Sequence, residues 1–213
     1  MKTEKEIYDT LFDTYPALEG CRAGIEAAAA LLRRCYENGG TVYCCGNGGS
    51  AADSDHIVGE LMKGFNLRRP LSDEVKEKFG KVEGGDAIAQ KLQGALRAVS
   101  LVSQTGLISA FANDVDASLV FAQQVYAYAK DPNDVLIALT TSGNSKNVVN
   151  AAKTAKAVGI QTLAITGGDG GEIKKYADVS IVLPAHTPFE VQEYTLPVYH
   201  ALCAGLEAAF FDD

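Results

Sequence analysis

The amino-acid sequence predicts an α/β fold in which a five-stranded parallel sheet carries helices on both faces. Three observations support this prediction. Short apolar segments without charges alternate with longer stretches whose apolar residues recur at helical spacing. Two of the apolar segments end in loops of small polar residues that run directly into a helix. Strands and helices that alternate in this way form parallel sheets, because each helix returns the chain to the same edge.

The composition is that of one globular domain. The chain has 213 residues, of which 47% are hydrophobic, and its 19 basic and 27 acidic residues give a net charge of −8. This charge argues against a broad surface for nucleic acid or anionic lipid. The first residues are polar, so we expect no signal peptide. No apolar run reaches ~20 residues, so we expect no membrane span. Five cysteines without CxxC spacing indicate the thiols of a reduced cytoplasm.

The first half of the chain is predicted to run from helix to strand to glycine turn to helix. Residues 16–37 form a long amphipathic helix, and 41–45 (TVYCC) form a buried strand. The turn 46–50 (GNGGS) then leads into the next helix. Over 66–86 the composition changes to charged and glycine-bearing residues, which we interpret as a flexible insertion within one domain, 1–213.

The second half continues the alternation with four more strands. They are expected at RAVSLVS (97–103), DVLIAL (134–139), IQTLAIT (160–166) and DVSIVL (178–183). A helix from about Ser145 to Val158 follows the second of them. The tail forms a long helix with Thr187 as its N-cap, Pro188 in its first turn and Glu190 completing a capping box.

Two polar loops stand where a strand ends and a helix begins, GNGGS at 46–50 and TTSGNS at 140–145. Ligands bind at this edge of an open parallel sheet, and the free N–H groups of a helix start attract anions. Neither loop is a GxGxxG or GK[ST] nucleotide motif. The second loop offers hydroxyls for a phosphate monoester, from Thr140, Thr141, Ser142 and Ser145. The alternative is that both loops are turns and helix caps; their occurrence in one sheet favours a phosphorylated ligand.

Two helices carry candidate proton-transfer or metal-binding residues. His56 and Glu60 are four residues apart and share a helical face, which suits a metal site, an acid–base pair or a surface ion pair. His200 lies on the C-terminal helix, where a core histidine is the alternative. Gln192 precedes it by eight residues, a rise of ~12 Å. One zinc ion could therefore bind both Gln192 and His200 only if the first turn of the helix were loosened, if the helix were bent at Pro197, or if the metal were bound weakly.

The motifs GNGGSAADSDH, Asn113–Asp114, TTSGNS and QEYTLPVYH, in this order, resemble the sugar-isomerase (SIS) family and its branch that acts on sedoheptulose 7-phosphate. The resemblance spans the chain except for 66–86. It implies the three-layer SIS fold, flavodoxin-like or Rossmann-like, with long N- and C-terminal helices. It also implies an aldose–ketose isomerase that forms D-glycero-D-manno-heptose 7-phosphate through an ene-diol. The alternatives are a non-catalytic SIS module, which senses a phosphosugar or binds a replication initiator, and an isomerase of another sugar phosphate.

The resemblance also assigns site residues. The implied substrate contacts are Asn47, Gly48, Gly49, Ser50, Glu60, Asn113, Asp114, Thr140, Thr141, Ser142, Ser145 and Gln192. The implied zinc ligands are His56, Glu60, Gln192 and His200, of which Glu60 and His200 also transfer protons. Asp53, seven residues before Glu60, is the main competing carboxylate, because it lies on nearly the same helical face.

The resemblance further implies a cytoplasmic homotetramer with active sites at subunit interfaces. The two apolar helices at 16–37 and 187–210 agree with an oligomer, since they have more apolar surface than one sheet face needs. One feature departs from the family. An arginine that often follows the His-x3-Glu turn is not in register here, so its role would pass to Lys63, Arg68 or Arg69.

Overall fold

A computed structural model of the protein describes residues 2–212 and contains a five-stranded parallel sheet in the order β2-β1-β3-β4-β5. Its strands are β1 (Val42–Cys45), β2 (Ala98–Ser100), β3 (Val135–Leu139), β4 (Gln161–Thr166) and β5 (Val179–Val182). The predicted fold class is confirmed. Because β2 and β3 pair with opposite sides of β1, the strand order reverses beside β1. Ligands of open α/β sheets bind at such a switch point.

The helices cover both faces of the sheet. In chain order they are α1 (Glu4–Thr14), α2 (Arg22–Glu37), α3 (Gly49–Met62), α4 (Asp73–Phe79), α5 (Gly85–Ala89), α6 (Thr105–Phe111), α7 (Val120–Tyr128), α8 (Lys146–Val158) and α9 (Pro188–Phe210). One hydrophobic core joins α1, α2, α3 and α9 to one sheet face, and a second joins α7 and α8 to the other. Successive strand residues such as Cys44 and Cys45 enter opposite cores, as the two-residue period of a strand requires. Within residues 2–212 no helix has the length and apolar character that a membrane crossing needs.

The N-terminal region corrects the prediction of one helix over 16–37. Pro16–Cys21 form a 3₁₀ helix, and the α-helix begins at Arg22. Proline favours the start of such a turn, and Gly20 disfavours a continuous α-helix. Sequence reasoning also missed α1, whose capping box between Thr3 and Glu6 is visible in the sequence.

One strand is shorter than predicted, and one helix cap agrees with the prediction. The edge strand β2 is shorter than the predicted 97–103, since it pairs with one neighbour only. The tail helix α9 begins with the predicted capping box between Thr187 and Glu190.

The segment 66–86, interpreted as a flexible insertion, contains α4 and the start of α5. The Ser72 hydroxyl caps α4 by accepting from the Val75 amide. Pro70, within the segment, pairs with Gln93, beyond its end, in an isolated antiparallel bridge. The flexibility of the segment stays a prediction.

Candidate active site

The first polar loop joins the end of β1 to the start of α3 and lies against α9. Gly48 has φ +57°, a conformation that favours glycine. A Cβ atom on Gly49 would lie 2.2 Å from Nε2 of Gln192, so the absence of a side chain lets Gln192 reach the start of α3. Ser50 is buried in the first turn of that helix. Three predicted substrate residues and Gln192 therefore lie together.

The second polar loop joins β3 to α8, and its hydroxyls are not consumed by helix capping. Thr140 donates a hydrogen bond of 3.1 Å to the Ser145 hydroxyl. Ser145 occupies the N-cap position of α8, yet within the described chain its side chain makes no capping hydrogen bond. Thr141 and Ser142 complete the loop, and the Ser142 hydroxyl accepts from the Asn144 amide at 3.2 Å. Simple capping therefore does not account for this loop.

An amide pair connects the glycine loop to the first turn of α8. Asn47 donates to Oδ1 of Asn147 at 2.8 Å, and Asn147 donates back to Oδ1 of Asn47 at 2.9 Å. Sequence reasoning did not select Asn147, because no spacing in the sequence relates it to Asn47, one hundred residues earlier. The pair fixes the glycine loop beside the start of α8, at the switch point of the sheet.

His56 and Glu60 lie on α3 as their spacing predicts. His56 Nε2 is 3.1 Å from Glu60 Oε1, and Lys63 donates to Glu60 Oε2 at 3.0 Å. Glu60 is only 8% exposed. A pair on an open surface would expose both partners, so the surface ion-pair alternative does not describe this carboxylate.

Of the three cations that could replace the family arginine, Lys63 contacts the Glu60 carboxylate, and Arg69 is fully buried and contacts only the backbone of Glu60. Arg69 donates to Glu207 at 2.7 Å and to the carbonyl oxygens of Leu61 and Glu60 at 2.8 and 3.1 Å. Arg68 is exposed. The Arg69–Glu207 pair thus joins the end of α3 to α9, directly behind Glu60.

Glu207 is surrounded by hydrogen-bond donors. Burial alone would raise the pKa of Glu207, but hydrogen bonds from the Phe65 and Asn66 amides and from Arg69 lower it below its ordinary value. These donors compensate a carboxylate that is 1% exposed. Sequence reasoning missed Glu207, because a helix rich in apolar residues gave no sign of a buried ion pair.

His200 lies beside His56, with 5.0 Å between the ring centroids. Its Nε2 atom is buried and has no hydrogen-bond partner among the residues that the structure describes. Burial lowers the pKa of His200, and the nearby His56 lowers it further. A core histidine satisfied within its own chain would have a partner at this nitrogen, so the geometry favours a group that contacts a ligand.

Two neighbours of His56 were not recognised as a unit in the sequence. The Tyr199 hydroxyl lies 2.8 Å from His56 Nδ1 and 3.3 Å from Asp53 Oδ1. Burial raises the pKa of Asp53. The position of Tyr199 directly before His200 was the available signal, although neighbouring helical residues usually point in different directions.

Asn113 and Asp114 lie apart from the buried groups. Both are exposed, and their amide and carboxylate are joined at 2.8 Å. They belong to residues 105–119, none of which is buried. This segment is held to α8 by the hydrogen bond from Asn150 to the Ser118 carbonyl, at 3.0 Å. Their predicted contact with sugar hydroxyls stays a prediction.

The donor types at His56, Glu60, Gln192 and His200 fit zinc, which accepts imidazole and carboxylate ligands. The unpartnered Nε2 of His200 is an atom that a metal could use. Within residues 2–212, however, no three His, Cys, Asp or Glu side chains form a group that could hold a metal. The side chains therefore supply suitable donors without a preformed metal cage.

Together the fold and the site define an α/β domain that presents two polar loops and a buried carboxylate at the switch point of a parallel sheet. Family models described as SIS domain match residues 98–204 and, with a second model, residues 16–92. The chain belongs to the SIS domain family.

Several phosphoheptose isomerases are similar to this chain in sequence or structure. A phosphoheptose isomerase of Akkermansia muciniphila is 32% identical over 199 residues, which cover 93% of this chain and 92% of that protein. A phosphoheptose isomerase of Aromatoleum aromaticum is 35% identical over 194 residues, which cover 90% and 85%. The solved structure of a phosphoheptose isomerase from Francisella tularensis has a TM-score of 0.74 and 27% identity, and it covers 97% of this chain and 98% of that one.

Proposed function

We propose that this protein is an aldose–ketose isomerase that converts sedoheptulose 7-phosphate to D-glycero-D-manno-heptose 7-phosphate. The similarity to phosphoheptose isomerases over nearly the whole chain supports the substrate class. The observation that carries the chemistry is the buried Glu60 carboxylate, which contacts His56 and Lys63 and lies on the helix that begins at the glycine loop.

In this proposal Glu60 is the base of the carbon-acid step. It takes a proton from the carbon beside the carbonyl, which leaves an ene-diol, and returns the proton to the neighbouring carbon. Lys63 donates a hydrogen bond to this carboxylate at 3.0 Å and so helps to orient it. A base held at the reacting carbon contributes about 10²–10⁴-fold to such a step.

His200 would move protons on the sugar oxygens and assist ring opening. Its lowered pKa favours a neutral imidazole, which can both accept and donate a proton. We assign this exchange to its Nε2, which has no hydrogen-bond partner among the residues that the structure describes.

The two loops would bind the remainder of the substrate. We assign the phosphate to the hydroxyls of Thr140, Thr141, Ser142 and Ser145 and to the amides at the start of α8. Asn47, Gly48, Gly49, Ser50 and Gln192 would line the sugar, and Asn113 and Asp114 would contact its hydroxyls. Phosphate binding far from the reacting carbons supplies energy that positions those carbons against Glu60.

Zinc is part of the proposal, with His56, Glu60, Gln192 and His200 as its donors. When bound, the ion would act as a Lewis acid toward the carbonyl and hydroxyl oxygens of the sugar. Metal analysis of the purified protein tests this assignment. A content near one zinc per chain supports it, and full activity in metal-free protein contradicts it.

A homotetramer with active sites shared between subunits is also proposed. The support is the segment 105–119, which carries Asn113 and Asp114 and exposes apolar side chains such as Leu107 and Val115. For the cellular location we propose the cytoplasm, because all five cysteines are buried free thiols and such thiols persist in a reducing compartment.

The deciding experiment is an isomerase assay with sedoheptulose 7-phosphate beside hexose and pentose phosphates. Turnover that is fastest with the seven-carbon substrate supports the proposal. Faster turnover of a shorter sugar phosphate would reassign the substrate. Binding without turnover of any of them would identify a non-catalytic sensing or partner-binding module instead.

A further inference from the structure

The loop that follows β4 packs against the second polar loop at the carboxyl edge of the sheet. Residues 167–171 (GGDGG) form this β4 loop, and residues 140–145, the second polar loop, form the proposed phosphate loop. Gly143 has φ +70°, and a Cβ atom at this position would overlap the Gly170 carbonyl oxygen. The two backbones therefore touch at a point where only glycine fits.

A second glycine of the β4 loop makes a similar contact. Gly171 has φ +61°, and a Cβ atom there would overlap the Ser142 carbonyl oxygen. Just beyond it, the Ile173 amide donates to the Gly143 carbonyl at 3.0 Å. Ile173 is fully buried in the core that joins α7 and α8 to the sheet. The phosphate loop therefore rests on a segment that is anchored in the core.

The Asn144 side chain joins the phosphate loop to the end of the β4 loop. Its Nδ2 donates to the Ser142 carbonyl at 2.8 Å, and its Oδ1 accepts from the Glu172 amide at 2.9 Å. These partners fix the orientation of the side-chain amide, because a carbonyl only accepts and an N–H only donates. Asn144 itself is exposed, so its side chain adds little to the core. Its hydrogen bonds act on the shape of the loop.

The amides of the β4 loop are engaged within the chain. The Gly167 amide donates to the Thr141 carbonyl at 3.0 Å, which adds a further bond to the phosphate loop. The other engaged amides are those of Gly168, Gly170, Gly171 and Glu172. An amide that already donates to the protein is not free to hold an anion. The β4 loop is therefore built to support the phosphate loop rather than to bind the ligand.

We propose that Asn144 is a positioning residue that, together with the β4 loop, holds the phosphate loop in the shape that binds phosphate. Several hydroxyls bind one phosphate well only if they are already directed at the same point, since ordering a flexible loop costs affinity. Neither Asn144 nor the β4 loop touches the phosphate. This inference rests on the proposed function for the identity of the substrate, but phosphate binding can be measured without turnover.

Phosphate binding by Asn144→Ala is the first test. Inorganic phosphate is titrated into the purified protein in a calorimeter. We expect the dissociation constant to rise about tenfold above that of the wild type, as when an orienting partner of a ligand-binding group is removed. Because Asn144 is exposed, urea unfolding should stay close to that of the wild type.

The matched control is Asn38→Ala. Asn38 is also exposed, and its side chain also donates to a backbone carbonyl, that of Arg34 near the end of α2. It precedes β1 and so lies at the opposite edge of the sheet from both loops. Equal phosphate dissociation constants for Asn144→Ala and Asn38→Ala would refute the positioning role, and so would a wild type that does not bind phosphate.

Two glycine variants test the contact between the loops. Gly168 and Gly171 have φ +60° and +61°, so alanine is disfavoured equally at both positions. A Cβ atom on Gly168 would have nothing within 4 Å, whereas one on Gly171 would overlap the phosphate loop. We expect phosphate binding to weaken about tenfold in Gly171→Ala and to be unchanged in Gly168→Ala. Equal binding in the two folded variants would refute the role of the β4 loop. If Gly171→Ala does not fold, Asn144→Ala decides.

Kinetics separate this inference from the proposed function. In Asn144→Ala we expect KM for sedoheptulose 7-phosphate to rise about tenfold with a smaller change in kcat, because the lost contacts orient the phosphate donors and not the reacting carbons. A lowered kcat with an unchanged KM would overturn the inference. If the wild type turns over no sugar phosphate, but Asn144→Ala still binds phosphate more weakly, the positioning role is supported and the isomerase proposal alone is rejected.

Discussion

Two walls of the candidate site are held in different ways. The α3–α9 wall, which carries His56, Glu60, Tyr199 and His200, is tied together by short hydrogen bonds and by the buried Arg69–Glu207 pair. The outer segment, residues 105–119, has no fully buried residue and exposes Leu107 and Val115. The sequence analysis assigned both walls to one substrate site. Only the α3–α9 wall is held in place by buried contacts within its own chain.

This difference indicates which wall of the site needs a second chain to hold it in place. Apolar side chains that remain exposed together usually mark an interface. If the outer segment packs against another subunit, Asn113 and Asp114 become fixed only in the oligomer. The α3–α9 wall should then keep its geometry in a single chain, and substrate binding should require assembly. Each of the following tests changes one part of the site, either a wall or the phosphate loop.

The largest effect is expected from Glu60→Gln, which keeps the shape of the α3–α9 wall and removes its base. Turnover should fall about 10²–10⁴-fold. Substrate binding, measured by calorimetry, should stay within about tenfold of the wild type. Metal content has to be measured on the same sample, because Glu60 is also a proposed metal donor.

The matched control is Asp53→Asn, on the same helix. Asp53 contacts Tyr199 rather than His56 or Glu60, so we expect turnover close to that of the wild type. An inactive Asp53→Asn together with an active Glu60→Gln would mean that Asp53 is the base.

The next effect tests what holds the α3–α9 wall together. Arg69→Met leaves Glu207 buried without its cation, which should lower the free energy of unfolding by about 3–5 kcal/mol. Urea denaturation measures this change. Lys153→Met breaks an exposed pair with Glu172 and serves as the control, for which we expect almost no change. Equal stabilities of the two variants would show that the buried pair does not stabilise the wall.

The same pair predicts a dependence of stability on pH. The pKa of Glu207 is lower in the folded protein than in the unfolded chain. The stability that this group contributes is therefore present above its unfolded pKa and is lost as the pH falls through its folded pKa. In Glu207→Gln the acid-induced loss of stability should be smaller than in the wild type, as measured by urea denaturation at a series of pH values.

The sequence predicted the strands, helices and polar loops more accurately than the side-chain contacts between them. Strand positions and both polar loops followed from local patterns, since apolar runs and glycine turns act over a few residues. His56 and Glu60 could be paired because one helical turn relates them. Helix boundaries near Pro16 were less accurate, because 3₁₀ and α conformations compete there.

Contacts between distant parts of the chain could not be derived in the same way. Asn47 and Asn147 are one hundred residues apart, and Arg69 and Glu207 are separated by 138. No periodicity relates such residues, and their pairing depends on how α9 packs against α3. Tyr199 was overlooked for the same reason, since its contacts are set by the neighbouring helix.

The outer segment is tested by a charge placed on its exposed apolar surface. Val115→Glu should leave the folding stability within about 0.5 kcal/mol, because Val115 is 64% exposed in the single chain. If the segment is a subunit interface, light scattering should show a smaller assembly, and activity should fall about a hundredfold through misplacement of Asn113 and Asp114.

Val82→Glu provides the control for that experiment. Val82 is 62% exposed and lies in the segment 66–86, so the same change is made outside the outer segment. Equal assembly and activity in both variants, or a wild type that is monomeric at micromolar concentration, would contradict the interface.

The smallest effect is expected at the phosphate loop, where several donors share one ligand. Ser142→Ala and Ser145→Ala each remove one hydrogen bond to a charged group, worth about 1.5–3 kcal/mol. Affinity for the sugar phosphate should therefore fall roughly tenfold to a hundredfold in each variant. Ser145 makes no capping bond from its side chain to the described part of α8, so the loss at this position should appear in binding rather than in unfolding. Ser72→Ala, which removes a cap in the segment 66–86, should show the reverse pattern. Unchanged binding in both loop variants would mean that the phosphate binds elsewhere. Only the α3–α9 wall would then remain assigned to the substrate site.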